Sequence, residues 1–166
     1  RPYELNIALF DALKLHVKDG DDSYQEARFI SAHTIMLSLE GIPAFYIHSF
    51  LATQNDYEKV KHSGKNRGIN RHQWQMQELE QILLGENHHS RMFYELLRLI
   101  GIRKRQRAFH PNATQFTLDL GNSVLALWRQ SLDRTQSIFS IHNISNQKIA
   151  IQLSDLNLIE TDNWFD

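Results

Sequence analysis

Polar and charged side chains that suit sugar hydroxyls or phosphate oxygens are concentrated between residues 52 and 71. This segment contains Asn55-Asp56 and Asn66-Arg67-Gly68-Ile69-Asn70-Arg71. A guanidinium group presents its donors in a fixed plane, so Arg67 or Arg71 beside amide side chains suits either kind of oxygen. Taken alone, such arginines are more often solvated or salt-bridged residues of a surface loop. The residue types in this segment therefore suggest binding of a sugar or phosphate, but they do not by themselves define a binding site.

Other chemistries find little support in the sequence. The chain has 9 histidines, but no HxxxH or HExxH pattern occurs, and adjacent histidines such as His88-His89 point about 100 degrees apart on a helix. We therefore predict no metal site and no cofactor. There is no GxSxG motif, no P-loop and no cysteine, so acyl transfer and NTP hydrolysis have no visible site.

Composition limits the class of protein and its partners. The 166 residues are 42% hydrophobic and 10% aromatic, which is enough for a globular core. Because 18 basic residues oppose 19 acidic ones, no broad field attracts nucleic acid or an anionic membrane. The lack of cysteine suits a reducing compartment, so we predict a cytoplasmic location. The start at Arg1-Pro2 resembles neither a signal peptide nor an initiator methionine, which predicts that the chain begins in mid-protein.

The pattern of apolar residues predicts the elements that would position the polar segment. Helical spacing predicts helices over residues 23–39, about 72–84 and 88–103. Residues 42–50 form a short, nearly continuous apolar run, which is typical of a strand covered on both faces in a parallel sheet. Residues 52–71 then read as a long polar loop beyond the carboxyl end of that strand, where ligands of α/β folds gather.

The apolar period changes to about two after Ala113. Four alternating runs predict strands near residues 116–120, 124–127, 138–141 and 149–153 of a small antiparallel sheet. Gly121-Asn122 has the residue types of a tight hairpin turn. The fold class is therefore α/β followed by a small all-β module. The buried strand has no visible parallel partner, so its neighbours would come from upstream residues or from a second chain, and the sequence favours the first.

Three ordered motifs resemble one enzyme family. They are Pro2-Tyr3-Glu4-Leu5-Asn6, the run from Ile35 to Ala44 (IMLSLEGIPA), and Asn66 to Arg71 (NRGINR). Together they resemble glycoside hydrolase family 13, subfamily 18, of the α-amylase superfamily, which contains the sucrose phosphorylases and related α-glucoside phosphorylases. The resemblance implies that residues 1–110 are the last helix-strand-helix units of a (β/α)8 TIM barrel. Residues 111–166 would be the antiparallel β domain that follows it.

The resemblance also implies an activity. Family members transfer a glucosyl group to phosphate by a retaining double displacement that gives α-glucose 1-phosphate. Their catalytic carboxylates would lie upstream of Arg1, so no catalytic residue is assigned in this chain and the chain alone is predicted to be inactive. The implied partners are a small carbohydrate, phosphate and the missing N-terminal barrel portion of the same protein. A homodimer is left open.

The resemblance assigns binding roles to a few residues. Arg67 would contact the bound glucosyl ring and pair with an upstream aspartate that closes the pocket. Tyr3 and Glu4 would lie on a mobile loop that faces the acceptor and phosphate. Asn55, Asp56, Asn70 and Arg71 would support the site. Sucrose phosphorylases commonly carry glutamine at the position of Glu4, and a carboxylate there suits a polyol such as glycerol better than an anionic acceptor.

Two other functions compete with this interpretation. One is an α-glucosidase or transglucosidase on the same scaffold. The other, from a different class, is a non-catalytic carbohydrate-binding or interaction module.

Overall fold

The computed structural model of the protein describes residues 4–16 and 21–156. These residues form two compact units. The first comprises the described residues up to Leu37 together with Pro43–Arg105, and the second comprises Ser38–Ile42 together with the described residues from Gln106 onwards. The assignment of residues 1–110 to a barrel and 111–166 to a separate domain stays a prediction.

Helices dominate the part of the chain before residue 105. The α-helices among the described residues are α1 (Leu9–Ala12), α2 (Gln25–Ser38), α3 (Ile47–Phe50), α4 (Tyr57–Ser63), α5 (Met76–Leu84) and α6 (His88–Lys104). Single turns of 3-10 helix lie at Asn66–Asn70, Arg107–Phe109 and Leu153–Leu156. The predicted helices over 23–39 and 88–103 are confirmed, whereas the helix predicted over about 72–84 begins only at Met76.

The long loop predicted over residues 52–71 is wrong in part, because it contains α4 and the turn Asn66–Asn70. The Asp56 side chain caps α4 by accepting a hydrogen bond from the Lys59 N–H at 2.8 Å. At the other end, Gly64 adopts a φ of 65° and donates its N–H to the Val60 carbonyl at 2.8 Å. These are ordinary helix start and stop signals, and they outweigh the polar composition of the segment.

The strand predicted over residues 42–50 does not form. Ile47–Phe50 is α3 instead, and the Phe50 and Leu51 N–H groups donate to the carbonyls of Tyr46 and Ile47 at 2.9 and 3.0 Å. A strand needs a neighbour that takes up its backbone hydrogen bonds, and none of the described residues pairs with this segment. The apolar run is also not fully covered, since Tyr46 and Ile47 are 52% and 55% exposed.

The core of the first unit lies between α1, α2 and α6. Its buried residues are Phe10, Phe29, Ala52, Met92 and Leu96, against which Leu13, Ile30, Phe45 and Phe50 pack. Phe10 and Phe29 meet edge to face with ring centroids 5.2 Å apart. Burial of these side chains is the main force that fixes the helices of this unit against one another. No helix among the described residues has the length and apolar character needed to cross a bilayer.

The second unit contains an antiparallel sheet of the strands β1 (Thr114–Leu118), β2 (Val124–Gln130) and β3 (Ser137–Asn143), in the order β1-β2-β3. Phe116 pairs with Trp128 and Trp128 pairs with Phe139, so three aromatic rings lie in one row across the sheet. Such cross-strand aromatic pairs stabilise and register a sheet. The predicted antiparallel sheet is therefore confirmed for its first three strands.

Two details of the predicted sheet are wrong. The connection between β1 and β2 covers residues 119–123 instead of a two-residue turn, because Asp119 Oδ1 accepts the Gly121 N–H at 3.1 Å and shapes a wider loop. No strand is present at 149–153 in the described part of the chain. After β3 the chain bends at Asn143, whose Oδ1 accepts the Ser145 N–H and whose Nδ2 donates to the Gln147 carbonyl. An alternating apolar pattern, as at residues 149–153, does not by itself provide a neighbouring strand to pair with.

Candidate functional site

Glu4 lies between the two arginines of the 66–71 segment. Its Oε2 is 2.9 Å from Arg67 Nε, and its Oε1 is 3.8 Å from Arg71 Nη2. The carboxylate is the more enclosed partner, with 25% of the side chain exposed against 54% for Arg67 and 47% for Arg71. Three residues assigned to the site by resemblance therefore meet, although their roles toward a substrate stay predictions. Tyr3, the other predicted binding residue, lies outside the described residues.

An open cleft of about 630 Å³ lies beside this ion pair. It is lined by Glu4, Tyr46, Lys59, Asn70, Arg71 and Gln73. The lining combines one carboxylate with the cations of Lys59 and Arg71, and Arg67 adds a third positive charge next to Glu4. A cleft with more donors than acceptors and a surplus of positive charge suits hydroxyl-rich or anionic small molecules.

The arginine-bearing turn is fastened to α4. The Asp56 N–H donates to the Ile69 carbonyl at 2.7 Å, and Lys59 Nζ donates to the Arg71 carbonyl. Gly68 lies directly against the helix, because a Cβ at this position would be 3.3 Å from Lys59 Cγ. Glycine allows the close approach, and the approach determines where Arg67 and Arg71 leave the backbone.

Asp56 accepts two hydrogen bonds at the start of α4. Its Oδ1 accepts the Lys59 N–H at 2.8 Å, and its Oδ2 accepts His72 Nδ1 at 2.7 Å. Burial acts to raise the pKa of this carboxyl, but the hydrogen bonds from Lys59 and His72 outweigh it and lower the pKa of Asp56 below its ordinary value. Asp56 is therefore an ionised anchor at neutral pH.

Asn55 connects the site to α1. Its N–H donates to Asp11 Oδ2 and its Oδ1 accepts the Ala8 N–H, each at 2.7 Å. Its Nδ2 donates to the Tyr57 hydroxyl at 3.2 Å. Asn55 thus holds α1, which follows Glu4 in the chain, against the start of α4.

Asn70 connects the arginine turn to two other segments. Its side-chain Nδ2 donates to the Ile7 carbonyl at 3.4 Å, and its backbone carbonyl accepts a hydrogen bond from the Tyr46 hydroxyl at the same distance. Asn55, Asp56 and Asn70 lie between the elements that carry Glu4 and the arginines, and their role in supporting a substrate site stays a prediction.

Lys59, His72 and Thr53 are parts of this region that sequence reasoning missed. Trp74 Nε1 donates to Thr53 Oγ1 at 3.2 Å, and the Trp74 ring meets the His72 ring edge to face at 4.5 Å. The sequence signal for Lys59 was its place three residues after Asp56, the spacing of a helix cap. Nothing in the sequence shows that its ammonium group reaches the Arg71 carbonyl.

The histidines do not assemble a metal centre within the described ranges, where no group of three or more His, Asp or Glu residues could hold an ion. His88 stacks on Phe10 with ring centroids 4.8 Å apart, and His89 Nδ1 donates to the Leu51 carbonyl at 2.8 Å. Burial is the main cause that lowers the pKa of both imidazoles. These histidines are packing residues of the first unit.

Comparison with known proteins defines the class of this chain. It is a relative of the sucrose phosphorylase-like glycoside phosphorylases over the part of their length that it spans. This confirms the resemblance found in the sequence. No protein-family model matches the chain.

Three relatives illustrate the similarity. The chain is 36% identical over 159 residues to glucosylglycerate phosphorylase of Escherichia coli (strain K12), covering 94% of this chain and 28% of the relative. It is 35% identical over 165 residues to glucosylglycerate phosphorylase of Allomeiothermus silvanus, covering 99% of this chain and 29% of the relative. The crystal structure of sucrose 6F-phosphate phosphorylase from Thermoanaerobacter thermosaccharolyticum matches with a TM-score of 0.57 and 29% identity, over 76% of this chain and 27% of that chain. The chain thus spans less than a third of each.

Proposed function

We propose that this chain is the C-terminal part of a retaining α-glucoside phosphorylase, which transfers a glucosyl group to phosphate and gives α-glucose 1-phosphate. The observation that carries the proposal is the meeting of Glu4, Arg67 and Arg71 at one cleft, in a chain related along 94% of its length to a glucosylglycerate phosphorylase. Such a cleft offers forked donors to sugar hydroxyls and positive charge to phosphate.

The first unit is proposed to be the end of a (β/α)8 barrel whose earlier strands and helices come from the rest of the protein. Three large side chains of this unit, Leu5, Tyr46 and Ile47, are 83%, 52% and 55% exposed. Asn70 Oδ1 and His72 Nε2 are buried without a hydrogen-bond partner among the described residues. Barrel neighbours would cover the apolar side chains and supply the missing partners.

The catalytic groups are proposed to lie outside this chain. An aspartate nucleophile and a glutamate acid/base of the preceding barrel would break the glucosidic bond and form a glucosyl-enzyme intermediate. Arg67 would then hold the transferred glucosyl ring, while Tyr3 and Glu4 would face phosphate or the departing acceptor. A cytoplasmic location and a homodimer stay predictions.

The proposed substrate class is an α-glucoside of glycerate. Two of the relatives described above carry the name glucosylglycerate phosphorylase. The charges at the cleft suit the anionic glycerate group, because Glu4 is paired with Arg67 and Arg71 and Lys59 adds a further cation. The carboxylate therefore repels an anionic acceptor less than the sequence alone suggested, which removes the reason for preferring a polyol.

Product analysis of the full-length enzyme tests this proposal. Glucosylglycerate is supplied with and without phosphate, and glucose and α-glucose 1-phosphate are measured separately. We expect α-glucose 1-phosphate to form only when phosphate is present. Release of free glucose at a rate that phosphate does not change would overturn it and favour the hydrolase instead.

A further inference from the structure

Three hydrogen bonds hold the segment that carries the arginines from one side. The Asp56 N–H binds the Ile69 carbonyl at 2.7 Å, Asp56 Oδ2 accepts His72 Nδ1 at 2.7 Å, and Lys59 Nζ donates to the Arg71 carbonyl. All of them originate from Asp56 and Lys59, which lie at the start of α4. The turn that carries Arg67 is thus anchored at its C-terminal end by a single helical turn.

This anchoring matters because, apart from the ion pairs with Glu4, the two guanidinium groups depend on where the backbone of the turn places them. Arg67 and Arg71 are 54% and 47% exposed, so packing of their side chains does not determine their position. Inside the turn, the Gly68 N–H binds the Lys65 carbonyl at 2.9 Å and the Arg71 N–H binds the Gly68 carbonyl at 3.1 Å. Such 3-10 hydrogen bonds have poorer geometry than those of an α-helix, so the turn depends on external contacts.

We propose that Asp56 and Lys59 are positioning residues for glucosyl transfer. The backbone N–H of Asp56 holds Ile69, the Asp56 carboxylate holds His72, and Lys59 holds the carbonyl of Arg71. Together they determine where the Arg67 guanidinium lies beside the cleft. The inference rests on the proposed function, because positioning affects the rate only if Arg67 contacts the substrate.

A double-mutant cycle in the full-length enzyme separates this role from general stabilisation. The variants are Asp56→Asn, Arg67→Lys and their combination, assayed as kcat/KM for phosphorolysis of glucosylglycerate. Asparagine caps a helix as well as aspartate does, so Asp56→Asn keeps α4 but loses the charged acceptor for His72. Because a misplaced binding group costs up to about 100-fold in rate, we expect Asp56→Asn alone to lower kcat/KM by roughly 10- to 100-fold.

In the Arg67→Lys background, the same substitution is expected to cost less than about twofold, since the forked group that Asp56 positions is already absent. Lys59→Met, which keeps the side-chain length and loses the donor to Arg71, should show the same dependence on Arg67. The matched control is Asn87→Ala, which removes the cap of α6, where the Asn87 side chain accepts the Ser90 N–H at 3.1 Å. It should lower the unfolding temperature and leave kcat/KM unchanged.

Three other results would contradict either the positioning role or the proposed function. Losses that multiply independently in the double variant would overturn the positioning role and leave the proposed function standing. An equal loss of kcat/KM in Asn87→Ala would also overturn it, because the effect would then reflect stability. A full-activity Arg67→Lys variant would instead contradict the assignment of Arg67 to the substrate.

Discussion

The carboxylate of Glu4 lies 2.9 Å from the Nε atom of Arg67. This ion pair joins the start of the described chain to the turn after α4, and Arg71 adds a second, longer contact of 3.8 Å to the same carboxylate. Glu4 therefore sets the balance of charge at the cleft. Its removal would leave the positive charges of Arg67, Arg71 and Lys59 without this counter-charge.

The first prediction concerns that charge. Glu4→Gln keeps the size of the side chain and removes its charge, so an anionic acceptor should bind better relative to a neutral one. In the reverse reaction from α-glucose 1-phosphate, we expect the KM ratio of glycerate to glycerol to fall by up to about fivefold, as expected for partly exposed ion pairs. Glu58→Gln, at a 72% exposed side chain in α4, is the control and should not change the ratio. A ratio that rises in Glu4→Gln would contradict the account.

A second prediction concerns the glycine that ends α4. Gly64 has a φ of 65°, a conformation that costs an L-residue about 1–2 kcal/mol, so Gly64→Ala should lower the free energy of unfolding by about 1 kcal/mol. Gly101→Ala is the matched control, because Gly101 lies within α6 and its added Cβ would meet only Arg105 Nη1, at 3.9 Å. That change should raise the free energy of unfolding by about 0.5–1 kcal/mol. Urea denaturation followed by circular dichroism measures both, and the same sign for the two variants would be a contradiction.

The core supplies a third prediction. Phe29 has no exposed surface and contacts the rings of Phe10 and His33 at centroid distances of 5.2 and 4.3 Å. Phe29→Ala should therefore reduce the free energy of unfolding by about 3–5 kcal/mol. Tyr24→Ala, at an aromatic residue that is 70% exposed, should change it by less than about 0.5 kcal/mol. Similar losses in both variants, measured by denaturant unfolding, would show that Phe29 does not have this place in the core.

The fourth prediction concerns pH. Burial is the main cause that lowers the pKa of His33, His48, His88 and His89. The unfolded chain therefore takes up protons on these residues at a higher pH than the folded chain does. Stability should be constant above about pH 7.5 and should decline as the pH falls through about 6.5 towards 5.5. The midpoint of urea unfolding, measured across this range, should fall, and it should fall less steeply in His33→Phe. A midpoint that rises on acidification would refute the sign of these shifts.

Local signals explain which elements the sequence could predict. The spacing of apolar residues predicted α2 and α6 because it reports one buried helix face. The strand predicted over residues 42–50 was wrong because an apolar run indicates burial without showing which partner supplies hydrogen bonds. Helix α4 was missed although Asp56 and Gly64 are recognisable start and stop signals, since its polar residues have no apolar stripe.

Some residues of the candidate site could likewise be predicted from the sequence, and others could not. Arg67, Arg71 and Asp56 were chosen by residue type and resemblance, and the structure brings them close to Glu4 and α4. Lys59 and His72 could not be predicted, because their contacts depend on how the 3-10 turn packs against the helix. Gly68 makes that packing close, yet its sequence context gives no sign of the neighbouring Lys59 side chain.

Phosphate release from α-glucose 1-phosphate and glycerate, measured for the full-length enzyme and for its Arg67→Ala variant, decides whether this chain belongs to a glycerate-using phosphorylase. We expect release that depends on glycerate, and a loss of at least about 100-fold in an Arg67→Ala variant that remains folded. No release with glycerate, glycerol or fructose, together with hydrolysis of an α-glucoside that ignores phosphate, would contradict it.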